Sequence, residues 1–213
     1  MNQKKLKNIL SEIIFQKIPF CSFNGNNFSF IIPNNSVILS GSFNPLHEGH
    51  KEMLIAATKE NNLNPYLEIS ITNVDKESLI ISDIKKKIQQ INNSNFSLII
   101  SNSPRFIEKS NLFPNSYFLI GNDTFQRLFD SKYYPDFNKS DIQSTINQTL
   151  NIISDNNCKF IVAGRINKKD IFTKMDLSII PKRFKYMFSI LEESEFRNDI
   201  SSTKIRNNLR GKQ

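Results

Sequence analysis

A chain of 213 residues, 38% hydrophobic and with a formal charge of +8, has the length of one α/β domain, or of one domain with embellishments. No apolar run nears the roughly 20 residues that a membrane helix needs. The start of the chain is basic, but the apolar run Ile9–Ile18 that follows is interrupted by Ser11, Glu12, Gln16 and Lys17, so it reads as an amphipathic helix rather than a signal peptide.

The positive charge favours polyanionic ligands, but the lysines are scattered, so a nucleic acid is not the expected partner. The longest run, Lys85-Lys86-Lys87, reads as a solvated helix face. Cys21 and Cys158 show neither metal-ligand spacing nor a disulfide framework, which makes a reducing compartment the default. The cytoplasm is expected, with the nucleus left open. Repeated pairs such as Asn26-Asn27 and Asn156-Asn157 read as compositional habit.

In chain order, an N-terminal helix and the run Phe28–Ile32 come first and are expected to pack as an added layer. Short apolar runs then alternate with helix-like stretches, which predicts a parallel sheet with crossover helices. Ser36–Leu39 is a short strand leading into a turn at Gly41. His50–Thr58 has a helical period in Met53, Leu54 and Ala57. Tyr66–Thr72 is a strand and Asp83–Ile91 a helix; Phe96–Ser101 and Tyr117–Ile120 are strands. Asp141–Ile153 is helical, Lys159–Ala163 is a strand, and Ser201–Leu209 opens with Ser/Thr in capping positions and continues as a helix.

Open parallel sheets bind ligands at the carboxyl ends of their strands, which directs attention to the turn after the first core strand. That turn, Gly41-Ser-Phe-Asn-Pro-Leu-His-Glu-Gly-His50, has neither a Gly-x-Gly-x-x-Gly fingerprint nor a P-loop lysine. Gly41 lets backbone amides approach an anion, Pro45 fixes the turn, and Gly49 keeps the wall open between His47 and His50. Two imidazoles and free amides at a helix N-terminus suit bound phosphates. A surface or capping role for each histidine is the competing reading, set against the fact that these are the only two in the chain. A zinc site would need a third ligand, and no nearby carboxylate pattern supplies one.

Gly41–His50 resembles the His-x-Gly-His motif of the nucleotidylyltransferase superfamily, and Ile200-Ser-Ser-Thr-Lys-Ile-Arg206 resembles its second signature, Ile-Ser-Ser-Thr-x-Ile-Arg. That second form is similar to the one in nicotinamide and nicotinate mononucleotide adenylyltransferases. The resemblance runs from about Ser36 to Arg210 and also takes in Glu68–Lys76 and Phe160–Arg165. It implies an α/β, Rossmann-like parallel sheet with crossover helices. It also leads us to expect residues 1–35 as an N-terminal extension packed on the core and residues 36–213 as the nucleotidylyltransferase domain.

The resemblance implies that the substrates are ATP and a pyridine mononucleotide. It further implies Mg²⁺ as the cofactor, expected to be held mainly by substrate phosphates with no dedicated protein metal site. His47 and His50 should meet the α- and β-phosphates and stabilise transition-state charge. The backbone of Gly41, Ser42 and Phe43 should face the nucleotide phosphates. Ser201, Ser202, Thr203 and Arg206 suit a triphosphate tail, with an ordinary capped helix as the competing reading. Gly121-Asn-Asp123 resembles the family's Gly-x-Asp, which assigns Asp123 to ribose hydroxyls, although a carboxylate there is also a common helix cap.

Lys76 is assigned to the mononucleotide phosphate, against a solvated loop lysine. Arg165, at the end of the fifth strand, is assigned to closing over the mononucleotide, against a structural salt bridge. Relatives often stack the pyridine ring on a tryptophan, and this chain has none. Tyr134 is the expected substitute, with Tyr133 and Phe129 as alternatives. Other phosphorylated acceptors, CTP as donor, and a nucleotide-binding protein without turnover stay open. An oligomer is also left open.

Overall fold

The computed structural model describes residues 3–25, 27–59, 63–71, 81–92, 96–130, 133, 142–166, 172–173, 176–192, 194 and 196. Helix α1 (Gln3–Ile14) and strands β1 (Phe20–Asn24) and β2 (Asn27–Ser29) come first, and the expected alternation begins with strand β3 (Ser36–Ser40), helix α2 (Glu48–Lys59) and strand β4 (Asn64–Ser70). It continues through α3 (Ile81–Asn92), β5 (Ser97–Ser101), α4 (Phe106–Leu112), β6 (Tyr117–Gly121), α5 (Asn122–Arg127), α6 (Ile142–Asp155) and β7 (Lys159–Ala163). A small ribbon of β8 (Arg165–Ile166) and β9 (Phe172–Thr173), two 3-10 turns and β10 (Phe188–Leu191) complete the described elements.

One eight-stranded sheet has the order β10-β7-β6-β3-β4-β5-β1-β2. The strands from β10 to β5 are parallel, with Leu39 in register with Leu67 on one side and Leu119 on the other. Among the parallel strands this is the doubly wound arrangement, in which β3 sits centrally and the chain leaves it in both directions.

Alternation along each strand builds two cores. Val37 and Leu39 join Leu67, Ile69, Leu98 and Ile100 beneath α1, α2 and α3, through Leu10, Ile13, Leu54, Ile84 and Ile88. Ile38 faces the other way with Phe118, Phe160 and Val162, beneath α4, α5 and α6 through Phe113, Phe125, Ile146 and Leu150. Because both faces are covered, β3 and β7 read as continuous apolar runs instead of alternating ones.

The N-terminal extension differs from expectation in one respect. Helix α1 contributes Ile9, Leu10 and Ile13 to the core, but Phe28 and Ser29 of the expected Phe28–Ile32 run are not an added layer: they lie in β2, which extends the sheet antiparallel to β1, itself antiparallel to β5. Phe20, Cys21, Ser22 and Phe23 are all buried, so β1 lacks the alternation that would mark it in the sequence. Cys21 lies in one core and Cys158 in the other, both as free thiols. Among the described residues no helix is long and apolar enough to cross a membrane. The expected helix at Ser201–Leu209 lies outside the described residues.

Candidate functional site

The sheet order reverses direction between β3 and β6: α2 follows β3 onto one face and α5 follows β6 onto the other. The loops leaving these adjacent strands mark the switch in strand order, the place where doubly wound sheets take their ligands. Gly41 begins the first loop and Gly121 ends β6 beside the second.

The Gly41 N–H donates to the Glu68 carbonyl at 3.0 Å, prolonging the ladder between β3 and β4 by one residue. The chain then doubles back. Phe43 adopts φ 42°, a left-handed conformation that few side chains tolerate, and its ring is buried at 2% exposure. A Cβ at position 41 would lie 2.9 Å from Phe43 Cε1, so glycine is required there for packing as well as for backbone access. The Asn44–Pro45 peptide is cis. Ser40, the last residue of β3, has a buried hydroxyl with no hydrogen-bond partner among the described residues.

The two histidines come together as the loop enters α2. Their rings stack at 3.7 Å between centroids with 26° between planes, and the Phe43 ring meets His50 edge-on at 5.2 Å. The His47 N–H donates to His50 Nδ1 at 3.4 Å, and the His50 N–H donates to the His47 carbonyl at 3.0 Å. An accepting Nδ1 leaves the proton of neutral His50 on Nε2. His47 Nδ1 is buried and has no hydrogen-bond partner among the described residues.

Burial, and then the neighbouring His47, push the His50 imidazole down to about 4, while burial lowers His47 as well. Near pH 7 the pair is therefore neutral. A polyanion in contact with the rings would favour their protonated forms, which are donors at both nitrogens. Gly49 is buried in the first turn of α2 between them.

On the other side of the switch point, at the end of β6, Gly121 caps the start of α5, and a Cβ there would meet no atom within 4 Å. Asp123 is exposed in the first turn of α5, as the second residue of the helix and two positions past its Gly121 cap. Of the alternative aromatic residues, Phe129 is taken up by the core, edge-on to Phe125 at 5.3 Å. Tyr133 lies under the Arg127 guanidinium, 5.2 Å from its ring centroid.

Strand β7 ends at Ala163, so Arg165 does not terminate it. It opens β8, paired with Thr173 of β9. Lys76, Tyr134, Ser201, Ser202, Thr203 and Arg206 lie outside the described residues.

The structure adds residues that the sequence did not single out. Lys87 is not on a solvated face: its ammonium donates to the Ser42 carbonyl and, at 3.4 Å, to that of Phe43. Its place among Ile84, Ile88 and Ile91 puts it at the margin of the buried face of α3, and that spacing was the available signal. In the sheet interior, fully buried Glu68 of β4 pairs with Lys109 of α4 at 2.8 Å and accepts from Ser101 Oγ at 2.6 Å.

The sequence profile of the cytidylyltransferase-like family matches residues 38–208, most of the chain and both recognised motifs. This chain belongs to the cytidylyltransferase-like family of nucleotidyltransferases. Among solved structures, this nucleotidyltransferase is similar to the Plasmodium falciparum nicotinic acid mononucleotide adenylyltransferase complexed with NaAD. The TM-score is 0.50 at 20% identity, over 82% of this chain and 83% of that one. At that identity the likeness speaks for the fold. A comparison with curated protein sequences finds no match.

Proposed function

We propose that this nucleotidyltransferase is an adenylyltransferase that joins ATP to nicotinamide or nicotinate mononucleotide, releasing pyrophosphate. The observation that carries the reading is the stacked His47–His50 pair, placed at the start of α2 where the sheet order reverses. The Ile200–Arg206 signature and the ligand named for the Plasmodium structure support the choice of acceptor.

In the proposed reaction an oxygen of the mononucleotide phosphate bonds to the α-phosphorus of ATP. The bond from that phosphorus to the bridging oxygen of the β-phosphate breaks, and pyrophosphate departs with the electron pair. No covalent enzyme intermediate is needed, so the protein contributes position and charge. His47 and His50 meet the α- and β-phosphates, and the backbone of Gly41, Ser42 and Phe43 lines the phosphate path. Arg206, with Ser201, Ser202 and Thr203, holds the tail. Asp123 accepts from ribose hydroxyls, and Lys76, Tyr134 and Arg165 receive the mononucleotide.

The donors on the β3 side are imidazoles and amides, which suit phosphate oxygens but not Mg²⁺, a cation that prefers oxygen ligands. Among the described residues no group of three or more His, Cys, Asp or Glu could hold a metal. Mg²⁺ is therefore proposed to enter on the nucleotide, and no step is assigned to it.

The test is pyrophosphate release in Mg²⁺ buffer, with ATP or CTP as donor and nicotinamide mononucleotide, nicotinate mononucleotide or phosphopantetheine as acceptor. Release with ATP and a pyridine mononucleotide is expected. His47→Ala and His50→Ala should each lower kcat on the order of 10²–10³-fold with much smaller changes in ATP binding. Release only with CTP or phosphopantetheine would move the protein to another acceptor class. ATP binding without turnover on any acceptor would make it a nucleotide-binding protein.

A further inference from the structure

Lys87 reaches from α3 to the loop that follows β3, forty-five and forty-four positions away in sequence, and its ammonium meets the Ser42 and Phe43 carbonyl oxygens there. In a trans peptide unit the C=O and the following N–H point in opposite directions across one plane. An ammonium on the Ser42 carbonyl therefore turns the Phe43 N–H away from α3, and one on the Phe43 carbonyl does the same to the Asn44 N–H. The left-handed φ of Phe43 is the kind of backbone step that lets successive amides share one side of a turn and form an anion-binding concavity.

We propose that Lys87 is a positioning residue: its ammonium holds the Ser42 and Phe43 carbonyls on one side of the loop so that the Phe43 and Asn44 amides are presented to a polyphosphate on the other. The inference rests on the phosphate-binding role given to this loop above, and it adds the group that sets the loop's orientation. Three features fit this role better than a generic loop anchor. The contact is charge-assisted, and such hydrogen bonds are roughly twice as strong as neutral ones. It also spans both peptide units that flank the left-handed residue. Finally, the Phe43 ring that the same turn directs inward meets His50 edge-on, so the loop orientation and the histidine pair are linked through one residue.

The experiment compares Lys87→Met, Lys87→Arg and Lys86→Met in the full chain. Lys86→Met is the control, because it removes the same charge from an exposed position on the same helix. Inorganic pyrophosphate is titrated into ¹⁵N-labelled protein while the Phe43 and Asn44 amides are followed, and steady-state kinetics with ATP and the mononucleotide run in parallel.

In the wild type and Lys86→Met, pyrophosphate should move both amide resonances. In Lys87→Met the two resonances should be displaced already in the free protein. Pyrophosphate affinity should fall roughly tenfold to a hundredfold, in line with losing hydrogen bonds to a charged group. The KM for ATP should rise and kcat fall, with the mononucleotide KM unmoved, and Lys87→Arg should recover most of the loss. If Lys87→Met does not melt cooperatively, Lys87→Gln, which removes the charge, is read the same way with a smaller expected loss.

Wild-type affinity and kinetics in a folded Lys87→Met or Lys87→Gln protein would overturn the proposal, as would wild-type Phe43 and Asn44 amides that ignore pyrophosphate. Weakened binding with unchanged free-state amide resonances would show that the ammonium meets phosphate itself, and the positioning role would fall. A wild type that binds pyrophosphate through these amides but turns over no acceptor would refute the adenylyltransferase reading and leave Lys87 in its role.

Discussion

His50 ties the stability of the protein to pH in a direction that its environment dictates. In the unfolded chain the imidazole takes up a proton near 6.5, whereas in the fold burial and His47 hold it down to about 4. As the pH falls below 6.5 the unfolded state binds the proton and the folded state does not, so acid favours unfolding. The contribution is complete above 6.5 and is lost progressively towards 4. At about 1.4 kcal/mol for each pH unit of that gap, the native state gives up at most about 3 kcal/mol between pH 7 and pH 4. A domain of this kind has on the order of 5–15 kcal/mol in total, so the effect is measurable.

The perturbation is His50→Gln, which removes the titrating group and keeps a polar side chain. Urea unfolding at pH 7, 6, 5 and 4 measures both proteins, and other titrating groups largely cancel in the difference. Wild type should lose about 1–3 kcal/mol more than the variant over this range. Equal losses in the two proteins would refute the reasoning, because they would mean that His50 protonates as easily in the fold as outside it.

Three further outcomes are expected. Arg206→Ala should raise the KM for ATP roughly tenfold to a hundredfold and leave the acceptor KM nearly unchanged, with Arg206→Lys restoring only part of the loss, since lysine cannot pair bidentately; steady-state kinetics on both substrates check it. Tyr134→Ala should raise the acceptor KM about tenfold while Tyr134→Trp holds or improves it, an aromatic contact being worth roughly 0.5–1.5 kcal/mol beyond burial; an unchanged acceptor KM in folded Tyr134→Ala removes that residue from the site. Lys109→Met should cost about 3–5 kcal/mol in urea unfolding by leaving the Glu68 carboxylate buried without its cation, and Glu68→Gln in the same chain should recover much of that.

How legible the molecule was in its sequence depended on whether each signal was local. Lys159–Ala163 was read to the residue because a strand buried on both faces is an uninterrupted apolar run bounded by polar residues. Helix α3 was legible through Ile84, Ile88 and Ile91 at helical spacing. Strand β1 was not: Phe20–Asn24 is five residues of mixed character that become a strand only by pairing with β5, nearly eighty residues later. Helix α4 is two turns long, and its start is held by Glu108 accepting from the Arg105 N–H at 3.2 Å, a reversal that no periodicity announces. Strand β10, Phe188–Leu191, is similarly short and takes its place only beside β7.

The site divides in the same way. His47 and His50 were visible because a compact motif holds both. Lys87 and the Glu68–Lys109 pair were not, since each acquires its meaning from a residue on another element. Lys87 was hidden further by its two lysine neighbours, which made a buried-edge residue look like part of a solvated run.

The placement of the two cysteines has a practical consequence. Cys21 sits in the core under α1 and Cys158 in the core under α6, and burial raises both thiols, Cys21 to about 12. A thiol in that state reacts with disulfide reagents only after its surroundings open. Each sulfur therefore serves as an intrinsic clock for one side of the sheet. The rate of modification at Cys21 reports the opening of the N-terminal edge, and the rate at Cys158 that of the opposite layer, with no probe introduced. If nucleotide slows one clock and leaves the other running, the face that tightens around the ligand is identified directly.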